Sequence, residues 1–96
     1  MKTTGPSVAA RGYFSLSRSS QFKRVGPIKV SLKSVDMQRN SVDVSIVSES
    51  GKVKVQHLRL NQPVWIKRSY RGQPMELVVD RITANGVSGH LIEFHG

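Results

Sequence analysis

From Pro27 onward, apolar and polar residues alternate in short runs. Ile28, Val30 and Leu32 stand against Lys29, Ser31 and Lys33, and Val42, Val44 and Ile46 against Asp43 and Ser45. A period of two over short stretches, punctuated by turn residues, predicts antiparallel strands with one buried face. No helical period of useful length competes with it. A three-residue loop Gln38-Arg39-Asn40, with Asn40 at positive φ, sets Leu32 opposite Ile46. A two-residue Ser50-Gly51 turn sets Glu49 across from Lys52 and Ile46 across from Val55, completing a three-stranded meander.

After Val55 the phase slips, because Leu58 and Leu60 occupy the other parity, and a bulge or corner is expected near Gln56-His57. Pro63 lacks an N–H and restricts Gln62-Pro63 to a strand start. A fourth strand holds Val64 and Ile66, a loop follows at Ser69-Tyr70-Arg71-Gly72, and a fifth strand runs from Met75 to Ile82. Asn85-Gly86 reads as a type I′ hairpin turn, placing Val79 opposite Ile92 and Leu77 opposite Phe94. The expected fold is all-β: a small curled antiparallel barrel or a compact sandwich of five to six strands. Closure is the economical choice for so short a chain, since it removes exposed edges.

Residues 1 to 25 read differently. They are rich in Ser, Gly, Thr and bases, with Tyr13, Phe14, Leu16 and Phe22 as the large apolar side chains. This composition offers too little apolar surface to offset chain entropy, so a flexible basic N-terminal arm is expected ahead of a small all-β domain over residues 26–96. The 96 residues carry a net charge of +9. No Asp or Glu precedes Asp36, so the charge divides into +7 before that position and +2 from there on. A concentrated positive segment attracts polyanions at long range. Arg11, Arg18, Lys23 and Arg24 on the arm are therefore candidates for phosphate contacts, with Tyr13, Phe14 or Phe22 stacking on bases.

A second candidate site is the loop after the fourth strand. Lys67, Arg68 and Arg71 flank Tyr70 there, and Trp65 sits beneath it on the non-core parity, so cations and rings are combined as in single-strand binders. Lys29, Lys33, Lys52 and Lys54 share the outward face of the meander. Asp43 and Ser45 lie between them and Glu49 is placed to neutralise Lys29 or Lys52, so this patch reads first as an ordinary solvated strand face.

Catalytic and cofactor chemistry finds little support. His57, His90 and His95 fall in no ligand spacing, and nucleophile elbows, P-loops and dinucleotide-binding glycines are absent. Val47-Ser48-Glu49-Ser50-Gly51 contains an S-x-x-G core similar to that of PilZ-type cyclic-dinucleotide receptors. Ile46 stands where that pattern wants Asp or Asn, and Arg18 and Arg24 are not at R-x-x-x-R spacing, so the resemblance assigns no family. No cofactor or metal is expected. Without cysteine the chain fits a reducing, cytoplasmic setting, although the acid-free Arg- and Ser-rich start also has the composition of an organelle-targeting segment. No apolar run reaches the ~18 residues of a membrane span.

The expected function is a non-enzymatic module that binds RNA or single-stranded DNA mainly by charge. The alternative is a structural or adaptor subunit of a larger assembly, self-associated or docked on a neighbouring protein through Tyr13, Phe14, Leu16 and Phe22.

Overall fold

The computed structural model of the protein describes residues 7–18, 21–49, 51–67 and 74–95. Alternating apolar residues place one face of each strand inward, and the result is two antiparallel sheets of four strands each. The first sheet has the order β1 (Ser7–Ser17), β8 (Gly86–His95), β7 (Met75–Thr83), β6 (Val64–Ile66). The second runs β2 (Lys23–Val25), β3 (Ile28–Asp36), β4 (Ser41–Ser48), β5 (Gly51–Arg59). No helix occurs among the described residues, and so none long and apolar enough to cross a membrane.

The expected barrel does not close. Among the described residues β5 pairs with β4 alone and β6 with β7 alone, so two edges face each other without a ladder. β6, which follows Pro63, has only three residues to offer as a bridge. On the other side the chain crosses between sheets at Arg18, whose single parallel bridge to Leu32 joins the layers. The sandwich expectation is the one that holds, with eight strands among the described residues in place of five or six.

The two added strands come from the segment expected to be an arm. β1 runs antiparallel to β8, and Phe14 and Leu16 are buried at 7% and 6% exposure. Burying these two side chains contributes on the order of 3–6 kcal/mol, a large share of the stability of a small domain. Their alternation with Tyr13, Ser15 and Ser17 is itself a strand pattern. Gly89, opposite Phe14, has no side chain because a Cβ there would meet the Phe14 ring and the Val78 carbonyl. Residues 1–6, 19 and 20 of the expected arm lie outside the described residues.

Registers depart from expectation through turn positions and bulges. The β3–β4 turn takes four residues, Met37 to Asn40, and Lys33 is an extra bulge residue, so Ile46 pairs with Val30 and Leu32 with Val44. Asn40 does adopt positive φ, at 51°. The β4–β5 pair is closed from Ser48 to Gly51, which sets Lys52 opposite Val47 and Val55 opposite Val44. The expected corner at Gln56-His57 is present: Asp43 faces both residues, and His57 has φ 58°. In the last hairpin Ala84 and Asn85 form the turn, and Thr83 pairs with Gly86. A bulge at Asp80 then shifts the ladder by one more residue, so Leu77 meets Leu91 and Val79 meets Gly89. Gly86 owes its identity to packing, since a Cβ would strike the Leu16 carbonyl of β1.

Candidate nucleic-acid interface

The outward face of the second sheet carries a group of exposed cations, Arg24, Lys29, Lys33, Lys52 and Lys54. The pairs Arg24–Lys29, Lys29–Val47 and Val47–Lys52 connect into one rung across β2, β3, β4 and β5. Directly opposed side chains share a face, so Arg24 and Lys29 stand as like charges in a cross-strand pair, an arrangement that costs stability by itself. With strands about 4.8 Å apart, the three cations span roughly 14 Å along the rung. The adjoining rung pairs Ser31 with Ser45 and Ser45 with Lys54.

Phe22, just ahead of β2, organises this face. Its ring centre is 5.4 Å from Lys33 Nζ and 5.5 Å from Lys52 Nζ, within cation–π range of both. A ring reached by a lysine of β3 and another of β5 lies over the middle of the sheet. Ser31 and Ser45, the outward residues of the middle strands, have no exposed surface. Ser45 Oγ is buried there without a hydrogen bond.

The acids nearby are held in their own local contacts. Asp43 Oδ1 accepts the His57 backbone N–H at 2.9 Å and Oδ2 accepts the Ser34 hydroxyl at 2.9 Å. The His57 bond lowers the Asp43 carboxyl below its ordinary value, and the Ser34 bond and the His57 charge act the same way against a smaller rise from burial. Asp43 therefore ties together the two bulges, at Lys33 on β3 and at Gln56-His57 on β5. Asp36 accepts the Arg39 backbone N–H at 3.2 Å and lies 3.9 Å from its guanidinium. The neutralising contact expected of Glu49 is absent. Among the described residues neither Lys29 nor Lys52 has an ion pair within 4 Å.

The sequence-derived candidates do not converge. Arg24 joins the lysine rung. Lys23 points to the gap between layers, where Nζ donates to Ser15 O at 3.0 Å and staples β2 to β1. Arg18 is exposed where the chain crosses sheets, and its N–H donates to Asn85 O at 3.2 Å. Arg11 and Trp65 occupy the outer face of the other sheet, at opposite ends of the rung Arg11–Ile92–Glu76–Trp65. On that face Tyr13 is 75% exposed and lies 6.1 Å from the His90 ring, while Trp65 is 58% exposed and 6.1 Å from the Phe94 ring. His90 is in turn held by Asp80, Nδ1 to Oδ2 at 2.9 Å. Phe14, a candidate for stacking, faces the core instead. Lys67 is exposed just past β6, and Arg68, Tyr70 and Arg71 lie outside the described residues.

Lys29, Lys33, Lys52 and Lys54 are the residues that sequence reasoning set aside. Their alternation was visible. The ring that gathers two of them was not, because Phe22 lies in the segment read as unstructured. Comparison with profiles of protein families, with curated proteins and with solved structures gave no match.

Proposed function

We propose that the protein is a non-enzymatic module that binds RNA or single-stranded DNA through the outer face of its second sheet. The observation that carries this reading is the rung of Arg24, Lys29 and Lys52. Arg24 and Lys29 stand there in direct cross-strand pairing, with Lys52 one strand beyond across Val47, and none of the three has a carboxylate partner among the described residues. Phosphates laid along the rung would relieve that repulsion and release their own counterions. Lys33 and Lys54 widen the strip, and Phe22 holds the Lys33 and Lys52 ammonium groups over one point of the sheet. The face is a pleated ribbon of charge without a recognition helix, so affinity comes from the backbone and depends little on sequence.

The experiment is a salt titration with a fluorescent oligothymidylate. Log K falls linearly with log salt, by about 0.7 for each phosphate neutralised on a single strand. Replacing Arg24, Lys29 and Lys52 together by Gln lowers that slope by about 2 while the circular dichroism spectrum is retained. An unchanged slope, or no binding by the unmodified protein at low ionic strength, refutes the proposal. The adaptor reading has its own support in the exposed Tyr13 and Trp65 of the opposite face; a defined oligomer in solution that burial of Tyr13 accompanies would favour it.

A further inference from the structure

Where the sandwich fails to close, an apolar cleft of about 320 Å³ opens between β5 and β6. Ile46 and Ile66 form its floor, Val64 is half-buried in it, and Val53 and Trp65 stand at its margins. Val53 is 56% exposed and Trp65 58% exposed, so two of the large apolar side chains that the surface shows flank one opening. Val53 has inward parity, opposite Ile46, and is uncovered because β6 is too short to reach over it.

We propose that this cleft receives one unstacked nucleobase of a single strand whose phosphates lie on the Arg24–Lys29–Lys52 rung; the inference rests on the function proposed above. Three features select that occupant. First, the charge is complementary: no carboxylate lines the cleft among the described residues, Lys67 lies at one rim, and Lys52 precedes Val53 on the other, at the end of the cationic rung. A strand following the rung off the sheet arrives at the opening. Second, the volume lies at the lower end of small-ligand sites, about 300–1,000 Å³, which suits one planar ring system. Third, β5 and β6 are both edge strands, so backbone N–H and C=O groups without ladder partners border an apolar interior. A base has apolar faces for the floor and a hydrogen-bonding rim for those edges. An acyl chain or an aliphatic side chain would leave the backbone groups dry and unpaired, at a cost.

Trp65 is the single tryptophan of the chain, so its fluorescence reports the cleft directly. The test titrates the full chain at low salt with an eight-residue oligothymidylate and with an abasic oligomer of the same length and charge. The expected result is binding of both, with Trp65 emission changed by the oligothymidylate alone, and with Trp65→Ala weakening oligothymidylate binding by roughly 5- to 150-fold while abasic binding changes less than about 2-fold. Val53→Ala, with Trp65 intact, reads the opposite margin and covers the case in which Trp65→Ala does not fold. Equal binding and equal emission change with the two oligomers overturns the cleft proposal and leaves the electrostatic function standing. Absence of binding to both overturns the two together. An emission change with a short fatty acid but none with oligothymidylate assigns the cleft to an acyl chain and likewise overturns the proposal.

Discussion

Replacing Asp43 by Ala removes the point at which two bulges are tied. In the folded protein its carboxylate accepts one backbone N–H, from a residue held at φ 58°, and one hydroxyl. Hydrogen bonds to a charged acceptor contribute about 1.5–3 kcal/mol each in protected settings. Ser34 and His57 are both exposed, so water replaces part of what is lost, and a total of about 1.5–2 kcal/mol follows. For a domain of this size that lowers the melting temperature by roughly 6–15 °C. The pH dependence has a definite sign. The folded pKa lies below the ordinary value of 3.8, so the carboxylate's contribution is complete above that value and is lost as pH falls through the folded pKa. Thermal melts followed by circular dichroism between pH 7 and pH 3 give the measurement. Wild type loses stability on acidification, and Asp43→Ala starts lower and loses less. Asp43→Asn keeps an acceptor for His57 and sits between them at neutral pH without the acid-linked loss. An Asp43→Ala melt within about 2 °C of wild type at pH 7 would refute the double-tie account.

Two further outcomes test other parts of the structure. Phe14→Ala deletes a buried ring from β1 and should cost about 3–5 kcal/mol in urea denaturation, whereas a side chain on a dispensable arm would cost nothing measurable. Phe22→Ala removes the ring shared by Lys33 and Lys52; a loss of about 1–2 kcal/mol and a several-fold weaker oligonucleotide affinity at fixed salt are expected, read by melting and by fluorescence anisotropy. Retained affinity in that variant would show that the lysines need no organiser.

Much of the second sheet was legible in the alternation of Ile28 to Leu32 and Val42 to Ile46, in the loop at Asn40, and in the phase slip at Gln56-His57. The registers were less so. Lys33 enters the alternation in good phase yet is the bulge residue, because Ser34 is drawn to Asp43, a carboxylate nine positions away. Asn85-Gly86 resembled a type I′ turn, but Gly86 answers to the Leu16 carbonyl, a contact that composition cannot show. β1 was hidden for a related reason. Its residues look poor in apolar surface when read alone, and the strand they pair with, β8, lies at the other end of the chain, while Phe14 and Leu16 join a core built from both sheets. The candidate site followed the same pattern: Lys29 and Lys52 were readable on one face of the meander, whereas Arg24 joins them through β2, a strand that the front segment concealed.

The pairing of β1 with β8 also bears on synthesis. On the ribosome, the meander from β2 to β5 finds all its partners within a short length of emerging chain, while β1, made first, waits until Val87 is available to meet Leu16. Throughout that interval an eleven-residue strand with Phe14 and Leu16 on one side lacks its ladder partner and has the Lys23 contact from β2 to hold it. Such late, long-range pairing slows folding and leaves nascent chains open to capture by one another. Yield in a crowded expression host should therefore depend more on translation speed through the last strand, and on chaperone supply, than on the stability of the finished sandwich.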